Sequence, residues 1–96
     1  MPQIGVLSIE IHIPQANSLK QKRQVIRSLK DRLRGKFNVS VAEVDHLDKW
    51  QLASLAIVMA SNDHKLIEST LEKVQFFIES EIAGSALVVR REVTFR

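Results

Sequence analysis

Apolar and polar residues alternate along the first part of the chain. One set of alternate positions is entirely apolar: Leu7, Ile9, Ile11 and Ile13. The other set is mixed: Val6, Ser8, Glu10 and His12. A period of two is typical of a strand with one buried face, so the pattern predicts a strand over residues 4–13. Pro14 should end it, because proline has no N–H to donate to a sheet.

The apolar period then lengthens to three or four residues, which is typical of an amphipathic helix. The first helical stripe, within residues 18–36, is Leu19, Ile26, Leu29 and Leu33. Ser18 is its expected N-cap, with Gln21 three residues later as in a capping box, and Gly35 is its expected C-terminal stop.

A second apolar stripe predicts a second helix that ends near Ala83, with Gly84 as its stop. Its members are Ile67, Leu71, Val74, Ile78 and Ile82. Its expected N-cap is Ser61, Asn62 or Asp63.

Three further segments have strand patterns, at residues 38–44, 51–60 and 86–95. In the last one, the residues expected on the buried face are Leu87, Val89, Val93 and Phe95. The resulting order, βαββαβ, folds most simply into an α+β ferredoxin-like plait, a four-stranded antiparallel sheet with both helices on one face. Residues 1–96 should form a single domain, because this length supports one core.

Composition argues against several classes of function. The chain has no cysteine, which excludes disulfides, thiolate metal sites and cysteine nucleophiles. The N-terminal segment lacks the features of a signal peptide, and no apolar run approaches the ~18 residues of a membrane span. A cytoplasmic protein with no membrane contact is therefore expected.

Positive charge is concentrated in the first predicted helix. The net charge is only +3, yet residues 20–36 hold eight of the fourteen Lys and Arg residues. Five recur at steps of three and four, which places them on one side of a helix. These five, the basic stripe, are Lys20, Arg23, Arg27, Lys30 and Arg34. The stripe suggests an anionic ligand, either RNA or a ribosomal particle, or an acidic protein; the alternative is a solvated helix face.

The topology also predicts the direction of the basic stripe. Viewed from each helix N-terminus, the stripe and the glutamates of the second helix both lie clockwise of the apolar centre. Because crossovers in such a fold are right-handed, the flank with the stripe and the flank with the glutamates should both face away from the other helix. Ion pairs within one chain between the stripe and Glu68, Glu72 or Glu79 are therefore not expected.

The predicted sheet lacks the aromatic platform on which RNA-recognition plaits stack bases. Trp50 lies at the margin of the third strand, where it is expected to pack against a loop, so RNA contact should be led by phosphates. The open sheet face should carry Val6, Ser8, Leu52, Ala56, Val58 and Val88, mixed with Glu10, His12, Arg90 and Glu92. A homodimer through this open sheet face is a second hypothesis.

The loop after the second strand has residue types suited to a metal site or to acid–base chemistry: Glu43, Asp45, His46 and Asp48. Their spacing matches no ligand motif, and Glu43 and Asp45 should lie on the strand face opposite His46. Capping of the turn by Asp45 and Asp48 is favoured. No enzymatic activity, metal or cofactor is expected.

Several segments together resemble a known family. They are the run that starts SLKQKR at Ser18 and continues as RLRGKFNVSVAEVD over residues 32–45, then DKWQ over 48–51 and SND over 61–63. They resemble the YlxP-like bacterial proteins, a family of unknown function, with a departure at Ala56, where many relatives are expected to have glycine. The resemblance implies a small cytoplasmic plait protein. It also implies a link to ribosomes or RNA, because family genes often neighbour those for a translation initiation factor and a ribosome-binding maturation factor. It supplies no catalytic residues.

Overall fold

The structure is a computed structural model that describes residues 2–96. Its elements are β1 (Gln3–His12), α1 (Leu19–Lys36), β2 (Ser40–Asp45), β3 (Leu52–Ser61), α2 (His64–Ile82) and β4 (Leu87–Phe95). The strands form one antiparallel sheet in the order β2-β3-β1-β4. The predicted α+β ferredoxin-like plait, with both helices on one face, is confirmed.

The core lies between the two helices and one face of the sheet. Its strand residues alternate along the chain and include Leu7, Ile9, Ile11, Ala53, Leu55 and Ile57. Its helix residues recur every three or four positions and include Ile26, Leu33, Ile67, Leu71, Val74 and Ile78. Removal of this apolar surface from water is the main force that holds helices to sheet. Within residues 2–96, neither helix is long and apolar enough to cross a membrane.

Gly5 marks the point where α2 packs directly on β1. A Cβ at this position would lie 2.2 Å from Ile67 Cγ2 and 3.0 Å from Leu71 Cδ1. Distances this short are repulsive, so a side chain here would push the helix off the strand.

The helix ends follow the predicted caps with one exception. Ser18 Oγ accepts from the Gln21 N–H at 3.1 Å, and Asp63 Oδ1 accepts from the Lys65 N–H at 3.1 Å, which selects Asp63 among the three candidates. Gly84 follows α2 with a φ of 85°, a left-handed conformation that glycine adopts without strain. The expected stop at Gly35 was wrong. The helix continues to Lys36, and the Phe37 N–H still donates to Leu33 O at 2.9 Å.

A β-bulge in β4 changes which residues share a face. The pairing shifts from Glu10–Arg90 to Ile11–Val88, so Val89 is an extra residue. Val88 therefore packs against the core, and Leu87, opposite His12, lies on the open face. The predicted faces of Leu87 and Val88 were wrong because a bulge interrupts the alternation on which they rested.

Candidate nucleic-acid interface

The cations of α1 fall into two groups, according to whether each has a partner inside the protein. One group has partners inside the protein: Lys22, Arg32, Arg34 and Lys36. The other group is Lys20, Arg23, Arg27 and Lys30, with which no carboxylate pairs among residues 2–96. The second group contains four of the five residues of the basic stripe.

Lys22 is the buried cation of this helix, with 1% of its surface exposed. Its Nζ lies 2.7 Å from Glu43 Oε2 and donates to the His46 carbonyl at 2.6 Å. Glu43 Oε2 is buried and has no aligned hydrogen bond. The ion pair with Lys22 therefore offsets the cost of burying this negative charge. Lys22 therefore fastens the first half of α1 to the end of β2. The sequence did contain a signal, because Lys22 lies four residues before Ile26 on the apolar face.

Arg32 and Lys36 occupy the flank of α1 that faces α2. Arg32 forms an ion pair with Glu81, and Lys36 Nζ lies 4.9 Å from the centre of the Phe77 ring. This flank therefore carries the contacts between the two helices, and the basic stripe lies on the other flank.

The predicted outward direction of the stripe is confirmed. No residue of the stripe pairs with the outward glutamates of α2 within residues 2–96. Glu79 instead lies 3.6 Å from Arg91 of β4, and Glu68 lies 3.2 Å from His64 of its own helix. The two charged flanks therefore lie on opposite sides of the helix pair.

The residues of the stripe differ in how freely they can reach a ligand. Lys20, Arg23 and Arg27 are exposed and Lys30 is partly buried. Arg34 is also exposed, but its Nη2 donates to the Val41 carbonyl at 2.9 Å. This bond ties the end of α1 to β2 and occupies part of the guanidinium group. The stripe spans about 21 Å along the helix, at a rise of ~1.5 Å per residue.

The loop that contains Asp45, His46 and Asp48 is held in place by hydrogen bonds to its backbone. Its His46 residue has a φ of 59°, and the His46 carbonyl accepts from both Lys22 Nζ and the Lys49 N–H. Asp45 Oδ1 accepts from the His46 N–H at 2.8 Å, which confirms turn capping by Asp45. Asp48 makes no such bond in the part of the chain that the structure describes.

A second bulge, at Val44, changes the predicted faces of the acidic residues. Glu43 pairs with Leu55 on the buried face, and Asp45 pairs with Ser54 on the open face. The expectation that Glu43 and Asp45 share a face opposite His46 was wrong. Across residues 2–96, no group of three or more His, Asp or Glu residues is placed to hold a metal ion.

Trp50 does not anchor its loop, contrary to the expectation. It lies before the start of β3, is 53% exposed and lines a shallow depression beside His12 and Leu52. Gln51 fastens the loop instead, because its Nε2 donates to Pro14 O at 3.0 Å and to Ala16 O at 3.3 Å. The two central strands, β1 and β3, thus contain no Phe, Tyr or Trp.

The open sheet face has partly buried apolar residues along its central strands. These include Val6, Ala56 and Val58, with Glu10 and His12 toward one end. A homodimer through this face stays a prediction.

Comparison with known proteins places the chain in a family. Residues 4–91 match the model of the family described as protein of unknown function, DUF503. The chain belongs to this family. The uncharacterized protein YlxP of Bacillus subtilis (strain 168) is 39% identical to this DUF503 protein over 77 residues, which cover 80% of the chain and 84% of that relative. The resemblance to YlxP-like proteins is thereby confirmed, and neither description names an activity.

Two designed proteins share the fold of this DUF503 protein. The de novo designed protein Foldit4 aligns with a TM-score of 0.58 and 14% identity, covering 100% of this chain and 97% of the design. A design with ferredoxin fold, LFR1 1, aligns with a TM-score of 0.55 and 13% identity, covering 100% and 84%. At this identity the likeness concerns the fold alone.

Proposed function

We propose that this DUF503 protein is a non-enzymatic cytoplasmic protein that binds RNA, free or on a ribosomal particle, through the basic stripe of α1. One observation carries the proposal. Lys20, Arg23, Arg27 and Lys30 have no carboxylate partner among residues 2–96, whereas the remaining cations of the helix all have internal partners. A row of unpaired cations is the feature that phosphate groups neutralise.

The energetics of the helix also support a ligand. Successive residues of the stripe are three or four positions apart, where like charges destabilise a helix by ~0.2–0.5 kcal/mol per pair. The four successive pairs therefore cost about 1–2 kcal/mol. A ligand with phosphates along the helix would remove this repulsion when it binds.

The expected mode of binding is contact with the phosphate backbone. Because β1 and β3 carry no Phe, Tyr or Trp, the sheet offers no conventional platform for stacked bases. Contacts to phosphates position a protein on its nucleic acid but carry little sequence information. Binding should therefore be weakly sequence-specific and strongly dependent on salt.

The test measures the affinity for assorted RNAs as a function of salt. If the four unpaired cations each neutralise a phosphate, log K should fall against log salt with a slope of about −3 to −4. The variant R23E/R27E should reduce the affinity at least tenfold and roughly halve the slope, because two of the four contacts are lost. Co-sedimentation with ribosomal particles, measured over the same salt range, tests whether the RNA is ribosomal.

A matched control separates the stripe from the total charge. K65E/K73E makes the same change in net charge on exposed positions of α2, away from the stripe. The control should bind RNA nearly as well as the wild type. The proposal fails if the protein does not bind RNA even at low salt, or if R23E/R27E and K65E/K73E reduce the affinity for RNA equally.

An acidic protein is the second candidate ligand for the same stripe. It is favoured by Val44 and Leu47, which are 56% and 58% exposed at the end of β2 and in the loop that Lys22 joins to α1. Protein interfaces combine such apolar residues with a charged rim. Retention of an acidic polypeptide but not of RNA, lost in R23E/R27E, would favour this candidate.

A further inference from the structure

β4 is a free edge of the sheet that carries several exposed apolar residues. Among residues 2–96, β4 is a terminal strand whose one neighbour in the sheet is β1. Four of its large apolar residues, Leu87, Val89, Val93 and Phe95, are between 40% and 64% exposed. A long apolar edge strand is a template for pairing with another strand.

The pairing with β1 shows which backbone groups of β4 are free. Ile4 and Arg96 exchange both N–H···O bonds, at 3.0 Å and 2.7 Å, so they form a hydrogen-bonded pair. Such pairs alternate along an antiparallel ladder. Thr94, Glu92 and Arg90 therefore bond to β1. Arg91 and Val93 direct their N–H and C=O groups toward the free edge.

We propose that this edge pairs with β4 of a second copy of the chain, antiparallel, about a two-fold axis at Arg91. The segment Val-Arg-Arg-Glu-Val, residues 89–93, is complementary to itself in that register. Arg90 lies opposite the second copy's Glu92, and the register ends where Val93 meets Val89, the residue of the β4 bulge. Symmetry repeats both contacts, so each pair forms twice. Arg90 and Glu92 both lie on the open face, as directly opposed residues must.

One contact in this register is unfavourable. Arg91 lies opposite its own copy, and like charges in direct opposition repel. Each Arg91 has a local counter-charge, because Glu79 Oε1 lies 3.6 Å from its Nη1. The two arginines and two glutamates would then form one group with no net charge.

The charges and the bulge of β4 have an alternative explanation, which a measurement can distinguish from pairing. Charges and bulges on an edge strand commonly prevent pairing. Protective charges of one sign repel a second copy in every register. The Arg90–Glu92 arrangement instead attracts a second copy in the register centred on Arg91.

Pairing at β4 leaves the basic stripe free. α1 contacts β2, at the opposite edge of the sheet from β4. The dimer would be one continuous sheet with a basic stripe near each end. The dimer contact at β4 can therefore be tested independently of the proposed RNA binding.

The test measures oligomeric state and backbone protection on the full chain. Sedimentation velocity should show a monomer–dimer equilibrium over a series of concentrations. Amide exchange followed by NMR should slow at Arg91 and Val93 as the concentration rises, because their N–H groups enter the new ladder. A protein that stays monomeric up to about 1 mM, the limit of a weak complex, would overturn the proposal.

Charge variants test the register. Arg90→Glu creates two Glu–Glu pairs and should raise the dimer Kd about tenfold or more. R90E/E92R restores both pairs with reversed signs and should return the Kd toward the wild-type value. Arg96→Glu changes a charge outside residues 89–93 and should leave the Kd within about twofold. An unchanged Kd in Arg90→Glu, or an equal loss in Arg96→Glu, contradicts the register.

Two further variants separate this edge from the open sheet face. Val93→Pro removes an N–H that points away from β1, so the internal ladder persists while the dimer is lost. Circular dichroism confirms that each variant is folded. A dimer that survives Val93→Pro but is lost in Val58→Asp would place the contact on the open face and overturn the proposal.

Discussion

Lys22 and Arg23 are consecutive cations of α1 with different surroundings. Lys22 is buried against Glu43, and Arg23 is exposed with no carboxylate partner among residues 2–96. A step of one residue rotates a side chain by about 100° around a helix, which is enough to move it from the core to the solvent. Position on the helix face therefore decides which cations are available to a ligand.

The buried pair leads to an asymmetric prediction for stability. Glu43→Leu leaves the ammonium of Lys22 buried without a counter-charge and should lower the free energy of unfolding by about 3–5 kcal/mol. Lys22→Met should cost less, because Glu43 keeps 14% of its side chain exposed to water. K22M/E43L should recover most of the loss, since no charge then remains buried. Urea unfolding of the three variants measures these differences, and equal losses in the two single variants would contradict the prediction.

At the scale of the element, α1 has two cationic flanks with different effects on stability. The flank facing α2 carries the Arg32–Glu81 pair and the contact of Lys36 with Phe77. The outer flank carries the basic stripe, where like charges repel. The surface proposed to bind RNA is thus one that lowers the stability of the free helix.

This arrangement predicts that a binding residue can be removed with a gain in stability. Arg23 has Lys20 and Arg27 as its helical neighbours and no acidic neighbour. Arg23→Gln should raise the free energy of unfolding at low salt by about 0.4–1 kcal/mol while it weakens RNA binding. Urea unfolding at low salt and at about 1 M salt, where charges are screened, measures the effect.

Arg32→Gln is the control on the same helix. It removes the ion pair with Glu81, which is partly exposed, so it should cost about 0–1 kcal/mol and yield no gain. A loss of stability in Arg23→Gln at low salt would show that repulsion does not govern this flank.

At the scale of the molecule, the two proposed surfaces lie at opposite edges of the sheet. The basic stripe belongs to the β2 side and the self-complementary edge is β4. A dimer would therefore present two stripes that one long RNA can contact together. Linked sites of this kind raise the overall affinity without any new contact.

The two proposals combined predict a dependence on RNA length. An RNA long enough to reach both stripes should bind the wild type at least tenfold more tightly than Val93→Pro. An oligonucleotide of about six nucleotides should bind both proteins equally, because it occupies one stripe. Both affinities should be measured at protein concentrations above the dimer Kd, where the wild type is dimeric. Equal affinity for the long RNA would mean that the stripes are not used together.

The apolar pattern was sufficient to predict the elements, their order and the plait. Periods of two and of three to four residues identified strands and helices because burial of one face dominates the free energy of folding. The outward direction of the basic stripe followed from chain order and the handedness of crossovers. The sequence by itself therefore determined the architecture and the candidate binding surface.

Only the tertiary structure decided the individual partners. The bulges at Val44 and Val89 exchanged strand faces that a strict alternation assigns wrongly. Lys22 became an internal anchor and Arg34 a link to β2, because each meets a group distant in sequence. The self-complementary segment of β4 is a candidate contact because the strand order of the sheet leaves β4 at an edge. Local patterns record which residues prefer burial, whereas pairing depends on which segments the fold brings together.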